Sequence, residues 1–415
     1  MPTRRAFFAA AGAASSALAA PASDSPIAKL KNRRAEAQPI TVAERKSRVE
    51  RAQRLMTEQK IGSICLTGGT SLEYFAGVRW GNSERLFAMF IPARGEPFFI
   101  APAFEEVRSR EAISHGNGGE HAQVFVWQED ESPYALAASS LKERGLATAR
   151  LGIEETVKFV FADSIGKALP GAPVTSATPV TAGCRMIKSA VELANMRLAS
   201  SVTLQAYEAA WKMVREGMTD REFSGVIGQA YQVLGFAGFA SVTVGEYSAS
   251  PHGSSQPQVI REGTIVMIDD GCRVEGYNSD ITRSFVIGKP TDKMKRVFDI
   301  VHQAQSAALA AARPGAACQD VDAAARKVIV DAGFGPGYKY FTHRLGHGIG
   351  LDGHEWPYLV RGNKLPLAPN MTFSDEPGIY IPGEFGIRLE DDMHITENGA
   401  ELLTPQSGSL EQPFA

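Results

Sequence analysis

Two hairpin-like segments, each flanked by a pair of acidic residues, constrain this chain more than any other feature. In the first, VMIDDGCRVEGYNSDITRSF, one β-rich run ends at Asp269 and a second follows Asp280. Residues that face each other across a hairpin have a constant sum of residue numbers, so a turn at Val274-Glu275 places Asp269 opposite Asp280. The segment therefore predicts two antiparallel strands that bring two carboxylates to one point.

The second segment, FSDEPGIYIPGEFGIRLEDDMHIT, repeats this arrangement. Pro382 and Gly383 mark its turn, and Glu376 and Glu390 lie seven residues on either side of Gly383. Like charges that face each other across strands destabilise the pair by about 0.2–1 kcal/mol unless a proton or a cation lies between them. We therefore expect cations at a site shared by the four acids.

An imidazole joins these acids in the glycine-rich segment YFTHRLGHGIGLDGHEWP, which contains His343, His347 and His354. Oxygen ligands and one imidazole, without a thiolate, suit manganese, iron, cobalt or zinc and differ from a structural zinc site. Two ions about 3.5–4 Å apart can activate a shared water for attack on a carbonyl, so the chemistry is hydrolytic. The predicted dinuclear metal site consists of Asp269, Asp280, His347, Glu376 and Glu390. The alternative, acids on the solvent faces of ordinary hairpins, leaves the repeated spacing unexplained.

Length and composition are those of an ordinary soluble globular protein with more than one domain. The chain has 415 residues, of which 44% are hydrophobic and 21% charged, and two domains are expected at this length. Its four cysteines are scattered without a CxxC pair, which excludes a zinc knuckle and favours buried free thiols. They are Cys65, Cys184, Cys272 and Cys318.

The first residues, MPTRRAFFAAAGAASSALAAPAS, resemble a twin-arginine export signal over residues 1–22. This segment contains a cleavage-like Ala17-Leu18-Ala19. The alternative is a short amphipathic helix. An export signal predicts a periplasmic or secreted protein. Removing Arg4 and Arg5 with the signal changes the formal net charge from −3 to −5, which disfavours nucleic acid and anionic membranes as partners.

The remaining chain divides into a flexible leader at 23–40, an amino-terminal α/β domain at 41–182 and a catalytic domain at 183–415. The leader is rich in Ala, Ser and basic residues and lacks a core pattern. Thr41 and Glu44 form a potential capping box at the start of a helix. Short β runs then alternate with helical patterns up to Val180, and a long helical pattern begins near Ser189.

Taken together, these motifs resemble the metallopeptidases that include prolidase, aminopeptidase P and methionine aminopeptidase. The matching segments in the catalytic domain are SASPHG, IDDGCRVEGYNSDITRSF, HRLGHGIGLDGHEWP, SDEPGIY and GIRLEDD. The segment LTGGTSLEYFAGVRWGNSERLF looks like the amino-terminal domain of the prolidase and aminopeptidase P branch. The resemblance implies an α/β amino-terminal domain followed by an α+β catalytic domain of the pita-bread (creatinase/aminopeptidase-like) fold. Creatinase shares this fold but lacks the metal ligands that this chain retains.

The resemblance also assigns a role to each of the five predicted ligands. It implies that Asp269 chelates one ion, that His347 and Glu376 hold the other, and that Asp280 and Glu390 bridge the two. Glu376 would also accept the proton of the attacking water. The expected cofactors are two divalent ions, with manganese first and cobalt, zinc or iron as alternatives.

Further residues match the family's substrate-contacting positions. His252 and His354 match two histidines, and His354 would stabilise negative charge on the scissile carbonyl. His252 lies shortly before the first hairpin in the sequence. This position already favours a role in supporting the metal ligands or in handling protons. Arg388 would position substrate or Glu390, and His343 is either structural or functional.

Two acids depart from the family pattern. Asp270 and Asp375 occupy positions where relatives more often carry apolar or hydroxyl residues. Strand alternation would turn both away from the metals. They leave open a specialised substrate.

The resulting hypothesis is a metal-dependent hydrolase that cleaves the peptide bond before proline, as an Xaa-Pro dipeptidase or an Xaa-Pro aminopeptidase. A metal-bridging hydroxide would attack the carbonyl of a peptide with proline at its second position. The family also implies a homodimer. The alternatives are a lyase or small-molecule hydrolase on the same metal-binding fold, and an inactive binding module, which would lack ligands that this sequence has.

Overall fold

The amino-terminal domain is built on a six-stranded mixed sheet. The structure is a computed structural model, and it describes residues 24–116 and 122–415. The predicted export signal lies outside these residues. The sheet has the order β4-β3-β2-β1-β5-β6. Its strands are β1 (Ser63–Thr67), β2 (Ala88–Pro92), β3 (Phe98–Pro102), β4 (Gln123–Trp127), β5 (Leu151–Ile153) and β6 (Val174–Ser176), and its helices are α1 (Val42–Gln59), α2 (Thr70–Ala76), α3 (Glu106–Ser114), α4 (Pro133–Glu143), α5 (Phe159–Ala168) and α6 (Thr178–Arg185).

Helices cover both faces of this sheet, which explains why its central strands are apolar throughout. Every residue of β1, β2 and β3 is buried. Ile64 and Met89 pack in one core with Met56 of α1 and Val180 of α6. The opposite face forms a second core with residues of α4 and α5. Strands buried on both sides lose the alternation of apolar and polar residues, as observed here.

The segment predicted as a flexible leader is packed from Asp24 onward. It contains two 3-10 turns, and Ile27 is fully buried in the core of the catalytic domain. The backbone N–H of Arg33 donates to Leu234 O at 2.9 Å, and that of Gln38 donates to Asn195 Oδ1 at 2.9 Å. One buried side chain and these hydrogen bonds thus attach residues 24–40 to the catalytic domain, although the segment has no periodic pattern.

The catalytic domain begins with a long helix that starts at a capping box. Ser189 Oγ accepts from Glu192 N, and Glu192 Oε2 accepts from Ser189 N at 2.7 Å. The predicted domain boundary at 182/183 falls inside α6. The helices are α7 (Ala190–Trp211), α8 (Asp220–Leu234), α9 (Asp292–Ala311) and α10 (Cys318–Asp331).

Two pairs of helices lie on opposite sides of the strands of the catalytic domain. Ile268 and Phe285 pack with the core formed by α7 and α8, whereas Ile265 and Val286 pack with the core formed by α9 and α10. The strands are β7 (Ala237–Gly238), β8 (Ser241–Val244), β9 (Ile265–Asp269), β10 (Cys272–Val274), β11 (Tyr277–Asn278), β12 (Arg283–Val286), β13 (Gly346–Gly348), β14 (Glu355–Leu359), β15 (Thr372–Asp375), β16 (Gly378–Ile381), β17 (Phe385–Arg388), β18 (Asp391–Ile395) and β19 (Ala400–Leu402).

These strands form small sheets whose ends meet between the helix pairs. The sheets have the orders β12-β9-β8, β11-β10-β7 and β14-β13-β15-β18-β19, and β16 and β17 form a separate hairpin. Of the predicted ligands, Asp269 ends β9, Glu376 and Glu390 lie in short links between strands, Asp280 lies between β11 and β12, and His347 is the middle residue of β13.

One bulk prediction, that of the cysteines, can be compared with the structure. Each of the four cysteines is a buried free thiol, as expected from their spacing. Among residues 24–116 and 122–415, no helix combines the length and the apolar character needed to cross a membrane.

Candidate active site

The first acidic hairpin forms, but its register differs from the prediction. Strand β9 pairs with β12 so that Ile268 faces Arg283, and continuing this register places Asp269 opposite Thr282. The tight turn is Glu275-Gly276, with φ values of 50° and 90°. A two-residue turn of this type needs positive φ at both positions, and glycine provides it at the second. The predicted turn at Val274-Glu275 is therefore wrong by one residue.

This shift keeps Asp280 on the same side as Asp269. Asp280 and Asp269 lie on one side of the hairpin, since their potential ligand atoms lie within 4.8 Å of each other. The two carboxylates meet diagonally instead of directly. Thr282 Oγ1 lies 2.6 Å from both Asp269 Oδ1 and Glu390 Oε2, so its hydroxyl links the two hairpins.

The second acidic hairpin has the predicted register. Gly378 faces Arg388 in β16 and β17, and Asp375 faces Asp391 in β15 and β18. Both pairings share one register, so Glu376 lies opposite Glu390 between them.

His347 reaches the same place from the neighbouring strand β13. Its backbone N–H donates to Ser374 Oγ at 3.0 Å, which ties β13 to the strand that leads to Glu376. The ring Nδ1 lies 3.1 Å from Gly348 O, and a carbonyl can only accept, so Nδ1 carries the proton. The unprotonated Nε2 faces Glu376 Oε1 at 3.4 Å and Asp280 Oδ2 at 3.8 Å.

The structure brings all five predicted ligands together. Potential ligand atoms of Asp269, Asp280 and Glu390 lie within 4.8 Å of one another, and so do those of His347, Glu376 and Glu390. Glu390 belongs to both groups and joins them. A third group consists of Asp280, His347 and His354.

Burial and mutual repulsion shift the pKa values of most of these groups. Burial raises the pKa of Glu376 to about 8, although the Arg388 guanidinium opposes this and Asp269 adds only a smaller increase. Burial and the neighbouring acids raise the pKa of Asp280 and of Glu390 well above the usual range. Burial and His354 lower the pKa of His347 to about 3, so its imidazole is neutral at neutral pH. Four oxygen-bearing groups and a neutral imidazole fit divalent cations by charge and by donor type.

Arg388 binds Asp269 and is buried among polar groups. Burial opposes ionisation of Asp269, but the guanidinium lowers the pKa of this carboxyl below its usual range. Nη2 donates to Asp269 Oδ2, and Nε donates to Thr282 Oγ1 at 3.0 Å. Glu390 Oε2 is more distant, at 3.8 Å from Nε. The predicted partner Glu390 is thus secondary to Asp269.

The two predicted substrate histidines lie at the edge of the cluster. The ring of His354 stacks on that of His347 with 3.6 Å between centroids. His252 is exposed and follows Pro251, whose carbonyl accepts from Arg388 Nη1 at 3.1 Å. His252 lines a cavity of about 290 Å³ with Phe239, and His354 lines another of about 260 Å³.

His343 joins a chain of hydrogen bonds that the sequence did not reveal. Its Nε2 lies 2.7 Å from the Tyr380 hydroxyl, which accepts from Arg388 Nη1 at 2.9 Å. Burial lowers the pKa of His343 to about 3, so its Nε2 accepts the hydroxyl proton while Nδ1 donates to Arg344 O at 2.7 Å. Tyr380 and Thr282 were both missed. Thr282 could have been found from the correct turn, whereas nothing in the residue type marked Tyr380.

The two unusual acids differ from each other. Asp375 is fully buried, and neither of its carboxylate oxygens has a hydrogen-bond partner among the residues that the structure describes. Strand alternation does not govern Asp270, because β9 ends at Asp269 and Asp270 has a φ of 94°. Its Oδ2 accepts from Ser241 N at 3.1 Å, and burial together with Asp269 raises its pKa to about 6.

Comparison with known proteins identifies the family of both domains. Residues 194–397 match the model of metallopeptidase family M24, and residues 48–187 match the creatinase/prolidase amino-terminal domain. These matches confirm the predicted order of an α/β amino-terminal domain and a pita-bread catalytic domain.

Individual relatives agree with these matches. The chain is 36% identical to the probable dipeptidase PepE of Mycobacterium tuberculosis, over 82% of this chain and 89% of that protein. It is 31% identical to the Xaa-Pro dipeptidase of Lactobacillus delbrueckii subsp. lactis, over 88% and 98% respectively. The crystal structure of dipeptidase PepE from Mycobacterium ulcerans superposes with a TM-score of 0.84 at 34% identity, covering 90% of this chain and 99% of that one. The prediction of an enzyme of this class is confirmed, and the chain belongs to metallopeptidase family M24.

Proposed function

We propose that this metallopeptidase hydrolyses the peptide bond before proline, and that Asp269, Asp280, His347, Glu376 and Glu390 hold two divalent cations for this reaction. The observation that carries the proposal is the meeting of these residues as two ligand groups joined by Glu390. An inactive binding module would not need a complete set. Manganese is the first candidate for the cation, and cobalt, zinc and iron have the same ligand preferences.

Cations bound here would polarise the scissile carbonyl and make a bound water acidic near neutral pH. The protein groups around them have complementary tasks. Glu376, whose Oε1 lies 3.4 Å from His347 Nε2, can accept the proton that the attacking water loses and pass it to the leaving nitrogen. Arg388 and Thr282 fix the orientation of Asp269, because each donates to a different carboxylate oxygen.

The substrate contacts follow from the position of the two edge histidines. The ring of His354 stacks on that of His347, and one of its nitrogens lies within 4.8 Å of an Asp280 carboxylate oxygen. This ring can therefore donate to the oxygen of a carbonyl bound at the cations. His252 lies on the loop that Arg388 holds through Pro251 O. The specificity for proline is supported by the relative named Xaa-Pro dipeptidase, which the chain matches over most of its length.

A panel of substrates on metal-stripped protein tests this function. Xaa-Pro dipeptides, Xaa-Pro tripeptides and dipeptides without proline are assayed before and after each cation is restored. We expect hydrolysis of Xaa-Pro bonds only after a cation is added, and Mn²⁺ to restore the most. Hydrolysis by the stripped protein would contradict the metal mechanism, and turnover of dipeptides without proline at equal rates would contradict the specificity.

A pair of matched variants separates the site from the rest of its hairpin. Glu376→Gln removes a proposed ligand and proton acceptor, and we expect activity to fall by more than about 10³-fold. Glu384→Gln alters an exposed residue of the same hairpin, which pairs with Lys293 at the surface, and should leave activity unchanged.

Two further proposals concern the whole protein. We propose export through the twin-arginine-type segment at 1–22, for which amino-terminal sequencing of the native protein should find a start after Ala19. A start before Ala17 would contradict it.

We also propose a homodimer, which light scattering coupled to gel filtration would detect as twice the chain mass, whereas the mass of one chain would contradict it.

A further inference from the structure

The tip of the first acidic hairpin fits into a narrow space between the two domains. Gly276 forms the turn, and a Cβ atom there would lie 2.9 Å from Leu351 Cδ2 and 3.2 Å from Glu73 Oε1. Glu73 belongs to α2 of the amino-terminal domain, whereas Leu351 belongs to the glycine-rich segment that carries His347 and His354. The hairpin that provides Asp269 and Asp280 is therefore in direct contact with both.

A buried group of three side chains fastens this tip to the amino-terminal domain. We call Arg48, Glu192 and Tyr277 the interdomain triad. The Tyr277 hydroxyl donates to Glu192 Oε1 at 2.7 Å and accepts from Arg48 Nη2 at 2.9 Å. Arg48 Nη2 is 3.3 Å from Glu192 Oε1, and their side chains are only 4% and 3% exposed. A further bond from Arg48 Nη1 to Tyr74 O, at 3.0 Å, keeps the guanidinium in the amino-terminal domain.

The triad is connected to the candidate metal site through the next residues of the hairpin. Asn278 follows Tyr277, and both its backbone N and its Nδ2 donate to Gly350 O at 2.8 Å. Asp280 lies two residues further on. A displacement of Tyr277 would thus move a proposed bridging ligand on one side and the imidazole segment on the other.

The triad is well suited to fixing a position. A buried guanidinium between a carboxylate and a phenol has directional bonds, and loss of either charged member leaves the other buried without its partner. If the triad only stabilised the fold, it could lie anywhere in the interface between the two domains. Here it binds the turn-proximal residue of the hairpin that carries two of the five proposed ligands.

We propose that Arg48 of the amino-terminal domain is a positioning residue for the metal site, acting through Tyr277 on the hairpin that carries Asp269 and Asp280. The inference rests on the proposed metal-dependent function. It gives the amino-terminal domain a part in forming the site.

The test measures cation affinity directly, by calorimetric titration of metal-stripped protein with Mn²⁺. Tyr277→Phe removes the hydroxyl and keeps the ring, and Arg48→Met removes the guanidinium and keeps most of the stem. We expect each to weaken Mn²⁺ binding about 10-fold, as loss of an outer-shell partner typically does. The double variant should be no weaker than Arg48→Met, because both act along one path, and Arg48→Lys should recover part of the affinity.

Arg51→Met is the matched control. Arg51 lies on the same helix and donates to Gly183 O at 3.1 Å, away from the hairpin, so Mn²⁺ affinity should equal that of the wild type. If Arg48→Met does not fold, Tyr277→Phe decides the matter. Lower melting temperatures with unchanged Mn²⁺ affinity in the triad variants would overturn the inference and leave the proposed function intact. A wild-type protein that binds no Mn²⁺ would overturn both.

Discussion

At the scale of single residues, the centre of the candidate site depends on groups that carry no charge. Thr282 lies between Asp269 and Glu390, and Tyr380 lies between His343 and Arg388. A hydroxyl can accept from one neighbour and donate to another, so it fixes the direction of a carboxylate or imidazole without adding charge to the cluster.

Removal of one such hydroxyl should weaken the site without unfolding the protein. Thr282→Val preserves the shape of the side chain but deletes the bonds to Asp269 and Glu390, so we expect about 10-fold to 100-fold weaker Mn²⁺ binding. Titration of metal-stripped protein measures it. Thr282→Ser retains the hydroxyl and serves as the control. Equal affinity for the valine variant and the wild type would show that the hydroxyl does not orient the ligands.

The raised acid pKa values predict how pH affects the metal-free protein. Burial raises the pKa of Glu376 and of Asp392 to about 8, and that of Asp270 to about 6. The folded state then binds more protons than the unfolded state between the ordinary and the raised values, so this stabilisation is complete below about pH 4 and is lost as the pH rises towards 8. His343 and His347, whose pKa values are lowered to about 3, oppose this effect below about pH 6.5, so we expect the free energy of unfolding to fall between about pH 6.5 and 8.

Chemical denaturation at several pH values measures this dependence. Saturating Mn²⁺ should oppose the decline, because cation binding replaces the protons and stabilises the folded state. A metal-free protein whose stability rises steadily from pH 5 to 8 would contradict the assigned protonation of the cluster.

At the scale of secondary-structure elements, the two hairpins show what their sequences could predict. The second hairpin has a Pro-Gly turn that centres the loop, and its register was predicted correctly. The register of the first hairpin differs by one residue from the prediction, because the turn places Gly276 at its second position, where glycine is preferred. Asp280 still lies beside Asp269, although the pairing of the strands differs from the prediction.

The tip of the first hairpin offers a test at this scale. Gly276→Ala should cost about 1–2 kcal/mol from its left-handed backbone alone. It should cost more because the new Cβ meets Leu351 and Glu73, and activity should fall as the hairpin shifts. Thermal unfolding and kinetics measure both effects. Gly362 has the same φ of 90° with no atom within 4 Å, so Gly362→Ala isolates the backbone contribution. Equal losses of stability and unchanged activity in the two variants would contradict a close fit at the tip.

At the scale of the whole molecule, the sequence predicted the two domains and the family but not how the parts are joined. The ligands were visible as repeated pairs of acids, since like charges in register require an explanation. The packing of Ile27 and the interdomain triad was not visible, because an isolated apolar residue or a single arginine on a helix has many equivalent partners in a sequence. Such contacts are decided by tertiary structure.

The most direct test of the account is the number of cations that the folded chain binds. Metal-stripped protein is titrated with Mn²⁺ at neutral pH, and bound metal and Xaa-Pro hydrolysis are followed together. The account predicts two Mn²⁺ ions per chain, activity that returns as the sites fill, and loss of at least one ion in Glu390→Gln, since Glu390 belongs to both ligand groups. A wild-type chain that hydrolyses Xaa-Pro with no bound cation, or a Glu390→Gln chain that still binds two ions with unchanged affinity, would contradict it.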